Sequence, residues 1–241
     1  MRTNFFIAMQ QSLLAAICII ASTGVWATTV SNSAYIDLTT LDITSVSGNA
    51  TLDLSPSYSF SETTVNNSND FSEDSAGGSV SLFSDNGAFV DASAAVDQDA
   101  VLGQTSVESA GLASATALHE LGYTVNGSGE VKISVDYTLN AIVSDLNNNT
   151  VSSSGLVELL DEVSSLSSEA SIFNEGFLKN PTDDSGILSL ILMLQDGDTG
   201  SLQFIANSDS FSEAKLVPIP SALLLFSTSL FGFFLQRRSK S

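Results

Sequence analysis

An all-β fold, an antiparallel β-sandwich with jelly-roll-like connectivity, is predicted for the middle of this 241-residue chain. Three observations predict it. In Leu121–Val143, Val131, Ile133, Val135 and Tyr137 alternate with Lys132, Ser134 and Asp136, the period of a half-buried strand. Ile187–Leu194 (ILSLILML) is a continuous apolar run of core-strand length. Between them and around them, short apolar runs recur between Gly-, Asn- and Asp-rich turns, as in sandwiches.

Residues 1–27 read as a secretory signal peptide: Arg2 supplies the positive start, Leu13–Ala21 the apolar core, and Val25-Trp26-Ala27 a small-x-small site cut between Ala27 and Thr28 by signal peptidase. The one cysteine, Cys18, lies inside that core between Ile17 and Ile19, which argues against lipidation. The exported segment is then cysteine-free, without disulfides or thiolate ligands, and its stability rests on its core. About 190 residues suffice for one domain with a sizeable core.

Within that segment, Tyr35–Ile43 alternates in part and opens the strands. Residues 61–78 (SETTVNNSNDFSEDSAGG), polar and ending in glycines, read as a long loop. Ser79–Phe83 and Ala88–Val96 read as strands around Asp85-Asn86-Gly87. Ser106–Leu118 carries small residues in both phases; a close-packed sheet face favours strand. Asn126-Gly127-Ser128-Gly129 reads as a hairpin turn between Tyr123-Thr124-Val125 and Val131–Tyr137, and Asn147-Asn148-Asn149 as the next turn. Gly155–Leu166 fits helical spacing through Leu156, Leu159, Leu160 and Val163, yet its β surroundings tilt it to strand. Asp196-Gly197-Asp198-Thr199-Gly200 reads as a second hairpin turn, from Ile187–Leu194 into Ser201–Ala206.

Charge narrows the function classes. All 27 acidic residues lie between Thr28 and Leu216, against Lys132, Lys179 and Lys215, a formal 3 − 27 = −24. Such a surface repels DNA, RNA and anionic lipid, which excludes nucleic-acid partners. It suits solubility outside the cell, divalent cations or hydrated polysaccharide.

No catalytic constellation stands out, and no enzyme is expected. His119, the single histidine, reads as a polar surface residue beside Glu120, with no G-x-S-x-G or H-E-x-x-H pattern. One histidine is too few for a hydrolytic metal centre. Carboxylate pairs for glycoside hydrolysis, Asp97/Asp99 or Asp161/Glu162, are two among many in so acidic a chain. Aromatic lining for a strong lectin is sparse, although a glycan-binding module stands as the alternative to a structural role. No cofactor is expected; the ligand best suited to Asp91, Asp97-Gln98-Asp99 and Asp196-Gly197-Asp198 is calcium, at a spacing unlike an EF-hand loop. The Asn-x-Ser/Thr triplets at Asn49, Asn66, Asn126 and Asn148 are those chance supplies in so Asn- and Ser-rich a chain.

The last 25 residues have three parts. Val217-Pro218-Ile219-Pro220 is stiff and extended, because each proline fixes its own φ and pushes the preceding residue out of the helical region. Behind it lies an apolar run; Val217–Leu235 spans roughly 28 Å as a helix at about 1.5 Å per residue, enough for a hydrocarbon core. Arg237, Arg238 and Lys240 then form a basic stop on the cytoplasmic side. With Arg2 before the first apolar segment, both flanks stay cytoplasmic and residues 28–216 are placed outside the inner membrane.

This tail resembles the PEP-CTERM sorting signal of Gram-negative bacteria: a proline motif on Val217, Pro218, Ile219 and Pro220, a transmembrane helix, and a basic end on Arg237 and Arg238. The family's usual glutamate is Ile219 here. The resemblance implies a partner, an exosortase-type membrane peptidase that cuts near the prolines, a transient stay in the inner membrane, and delivery to the cell surface or an exopolysaccharide (biofilm) matrix. It also implies a sandwich closing on a G-x-L-S-L strand hairpin, to which Gly186-Ile187-Leu188-Ser189-Leu190 is similar. A plain single-pass membrane anchor with a periplasmic domain is the competing reading.

Overall fold

The computed structural model describes residues 29–85, 90–108, 110–144, 150–175 and 182–213, and all its regular structure is strand. The signal peptide with its Ala27/Thr28 junction, the Asn147-Asn148-Asn149 turn and the whole sorting motif lie outside the described residues. Twelve strands are formed: β1 Thr29–Gly48, β2 Thr51–Val65, β3 Ser68–Asp74, β4 Val80–Asp85, β5 Val90–Val96, β6 Ala100–Glu108, β7 Gly111–Asn126, β8 Gly129–Ser144, β9 Thr150–Asp161, β10 Leu166–Glu175, β11 Thr182–Leu194 and β12 Thr199–Glu213. They make two antiparallel sheets, ordered β11-β8-β1-β6-β5-β4 and β10-β9-β12-β7-β2-β3, stacked face to face.

The alternation predicted for β8 is present at Val131, Ile133 and Val135, which are buried, and at Lys132 and Asp136, which face out; Ser134, expected outward, is buried as well, and Tyr137 is only partly buried. Gly155–Leu166 resolves into the end of β9, with Val157 and Leu159 buried, and then a turn. The small residues of 106–118 do serve a close-packed face. Ala113, Ala115 and Ala117 are buried, but the stretch belongs to two strands, β6 ending at Glu108 and β7 beginning at Gly111, which lie in different sheets. Gly103 shows how near the sheets come. A Cβ built there would lie 3.0 Å from the carbonyl oxygens of both Ala115 and Ala206.

Three expectations are corrected. Residues 61–78 are not a long loop. They hold the end of β2, a turn in which Asn66 and Asn67 adopt positive φ, and β3; the loop is confined to residues 75–79. β3 reads as loop because it is an edge strand with most positions exposed, so burial imposes no alternation on it.

The other two corrections concern the expected hairpins. β7 and β8 do not pair with each other: β8 lies between β1 and β11 in one sheet, and β7 between β2 and β12 in the other. Nor do β11 and β12 pair. Asn126-Gly127-Ser128-Gly129 and Asp196–Gly200 are corners between sheets, and the β1–β2 link through Asn49 is a third. The trio β11-β8-β1 thus continues round one end of the sandwich into β12-β7-β2.

Hydrogen bonds lock these corners together. Asn49 N–H donates to the Ser128 carbonyl at 3.0 Å, and Ser128 N–H to Asn49 Oδ1 at 3.2 Å. Gly127 N–H donates to Asp196 Oδ1 at 2.7 Å, and Val125 N–H to the Asp198 carbonyl at 2.8 Å. Gly127 has φ +84° and sits where a Cβ would come within 2.6 Å of the Asn49 carbonyl oxygen, so glycine is required there.

The opposite end holds both limits of the described chain. Thr29 pairs with Glu108 and Ser144, Ser212 pairs with Gly111, and Glu213 pairs with Thr150. Since residues 108–111 and 144–150 are short links, the start of β1 and the end of β12 lie at one end of the sandwich.

Candidate functional site

The sequence-predicted chemistry disperses into structural roles. His119 is not a surface residue, which corrects that reading. It points inward from β7, buried, and its Nδ1 lies 2.9 Å from the hydroxyl of buried Ser59 on β2. A position in the inward phase of a strand is buried by the facing sheet, whatever its polarity. Among the described residues no carboxylate bonds the ring, and the pair is shut off from solvent. Burial holds the imidazole below its usual range, with Asp97 pulling weakly the other way.

A depressed folded-state value means that the unfolded chain binds the proton better. Stability is therefore present above the ordinary histidine value, near 6.5, and lost as pH falls below it. We expect the melting temperature to fall between pH 7.5 and 5.5, where the one histidine is the only side chain with an ordinary value in range, and the slope to flatten in His119→Gln. An equal slope in both proteins refutes the assignment.

The carboxylate pairs do not converge as an acid and a base. Asp161 is buried; its Oδ1 accepts from the Tyr123 hydroxyl at 2.8 Å and its Oδ2 from Ser164 N–H at 2.8 Å. Burial, then the Asp161 carboxylate, push the Tyr123 phenol well above its usual range. Glu162 turns instead to the Ser201 hydroxyl, which donates to its Oε2 at 2.8 Å. Asp97 Oδ1 caps its own turn, accepting from Asp99 N–H at 2.9 Å.

The carboxylates proposed for calcium serve turns as well. Asp196 holds the Gly127 corner, and Asp198 Oδ2 accepts from Gln195 N–H at 2.8 Å. Asp91 stands apart on β5, its carboxyl raised by burial and by Asp85 and Glu108. Among the described residues no group of three His, Cys, Asp or Glu side chains is placed to share an ion.

What the fold does assemble, and the sequence did not show, is a polar trough across the outer face of the first sheet. One row runs through neighbouring strands in register: Phe83, Ser93, Gln104, Ser33, Asn140 and Asp183. Asn140 Nδ2 donates to Asp183 Oδ1 at 2.6 Å. A hollow of about 320 Å³ lies over this row, with Ser31, Ser106 and Asp91 beside it. A second, about 460 Å³, lies two residues along the strands, between Tyr35, Asp37, Asp136 and Tyr137. No local signal marks the trough, because its members lie on different strands and meet only through register.

No family model matches the chain, and no similar curated protein or solved structure is found. The fold and its surface define the protein's class: an acidic all-β protein of two stacked antiparallel sheets.

Proposed function

We propose that this is an exported, non-enzymatic protein of the cell surface or extracellular matrix, anchored briefly in the inner membrane and released by an exosortase-type peptidase. The observation that carries the reading is the tripartite tail, Val217-Pro218-Ile219-Pro220, the apolar run and Arg237-Arg238. The fold supports it by position. With Thr29 and Glu213 at one end of the sandwich, both apolar segments attach to that end. Four residues carry the chain from Glu213 to Val217, at most about 14 Å of extended chain. The corner end then points away from the membrane, and the turning of one three-stranded ribbon into the opposite sheet supports the jelly-roll-like reading. The neutral hydroxyls and amides of the trough are the surface on which matrix polysaccharide would lie.

Mass spectrometry of the protein from its native host tests the proposal. The expected mature form starts at Thr28, ends near Pro218-Ile219-Pro220 and lacks Arg237 and Arg238. An intact basic tail refutes sorting and leaves a plain membrane-anchored periplasmic domain. Co-fractionation of the released form with neutral polysaccharide, measured on the same samples, supports a matrix role; a wholly free form speaks against it.

A further inference from the structure

We propose that the trough of the first sheet binds one unbranched chain of neutral sugars laid across the strands, an inference that rests on the matrix reading and assigns it a site. The row from Phe83 to Asp183 crosses every strand of that sheet, roughly 24 Å at about 4.8 Å per strand spacing. The hollow of about 320 Å³ over it has short side chains for a floor, Ser33 and Ser93 among them. Phe83, Gln104 and Asn140 stand up around these as its walls. That volume lies at the small end of the range for ligand sites, enough for part of a chain that continues beyond it.

Hydrogen-bonding capacity over the trough is unspent. Among the described residues, the side chains of Ser31, Ser33, Ser93, Gln104 and Ser106 make no hydrogen bond. The outer face of the second sheet differs. There the Tyr58 hydroxyl donates to Glu73 Oε2 at 3.1 Å, Gln203 Nε2 to Glu120 Oε2 at 3.2 Å, and the Thr64 hydroxyl to Asn69 Oδ1 at 2.8 Å. Those groups satisfy one another. Over the trough, hydroxyls and an amide that can both donate and accept converge on one hollow and face solvent, which suits a ligand made of hydroxyls.

Three features select the occupant. Phe83, 63% exposed, presents an apolar ring at one end of a polar row, and a sugar ring likewise pairs an apolar face with a rim of hydroxyls. Asp91 and Asp183 border the trough, whereas Lys132, the one Lys or Arg among the described residues, lies farther along β8 beyond Asp136. Uronates, sulfates and phosphates are therefore repelled, and a neutral chain is not. The direction of the row matters as well. An extended peptide joins a sheet at its edge, in line with the strands, while this row runs across them.

The test is affinity electrophoresis of the full-length chain, in a detergent without sugar groups, through gels cast with the neutral or the acidic fraction of the native host's extracellular polysaccharide. The neutral fraction is expected to retard the protein and the acidic fraction to leave it unretarded. Phe83→Ala should weaken the retardation roughly tenfold and Gln104→Ala about fivefold, with the β circular dichroism unchanged. Phe83→Tyr keeps the ring and should hold the parent's affinity. Phe71→Ala removes an exposed ring from β3 of the other sheet and should change nothing. No retardation by the neutral fraction, equal retardation by the acidic one, or Phe83→Ala and Gln104→Ala as tight as the parent overturns the proposal. Its failure and that of the matrix reading are distinguishable. Trough variants that co-fractionate with neutral polysaccharide as the parent does leave the matrix role standing without the trough. An intact basic tail on a chain that the neutral fraction still retards refutes sorting and keeps the trough.

Discussion

Gly103→Val is expected to destabilise the sandwich by about 3 kcal/mol, the upper part of the range for overpacking a filled core. The reason is the identity of the neighbours. A Cβ at Gly103 meets two backbone carbonyl oxygens at 3.0 Å, from Ala115 on β7 and Ala206 on β12, and the Ser208 nitrogen at 3.5 Å. Backbone in the middle of two paired strands cannot swing aside as a side-chain tip does. Valine adds two further carbons, so the sheets must separate where buried Ala92, Ala94 and Ala117 also keep them close. Gly122→Ala is the control, because a Cβ there meets only ordinary contacts from 3.6 Å outward. Urea unfolding monitored by circular dichroism should separate the pair clearly. Equal midpoints for the two variants would mean that close sheet approach is not what Gly103 provides.

Asp161→Ala is expected to have the second large effect, again about 3 kcal/mol. Removing the carboxylate deprives the buried Tyr123 hydroxyl and Ser164 N–H of their acceptor, each worth about 1–3 kcal/mol, partly offset by no longer burying a charge. Tyr123→Phe should cost about 2 kcal/mol, because it leaves the carboxylate one donor short. The double variant should cost less than the sum of the singles, since both remove the same bond. Strict additivity in a double-mutant cycle would show that the two residues act independently. Glu162→Ala, which loses only a half-buried hydroxyl contact with Ser201, should cost distinctly less than Asp161→Ala.

The strands themselves were legible because a half-buried strand writes its period into local sequence, as Val131 to Val135 and Leu202 to Ala206 do. The continuous apolar run Ile187–Leu194 read as a core strand, yet it is an edge strand that buries Leu188, Leu190, Leu192 and Leu194 and exposes Ile187, Ile191 and Met193. The tail and signal peptide were read in the same way, since apolar length and flanking charge are local properties. Pairing was not legible. Asn126-Gly127-Ser128-Gly129 reports that the chain reverses, with Gly127 at positive φ, but turn chemistry cannot say whether the strands on either side bond to each other or to strands far away. That choice belongs to Asn49, Ser128 and Asp196, which meet from three distant corners and carry the ribbon from one sheet to the other. Burial of polar groups was equally hidden. His119 and Asp161 look like any other polar residues in an acidic chain; the opposing sheet removes water from them, and their partners Ser59 and Tyr123 come from other strands of their own sheet, which only long-range register brings alongside. β11 combines both kinds of information: its uncharged run from Ser185 to Leu194 is written in the sequence, while its place at the end of a sheet is decided by long-range register alone.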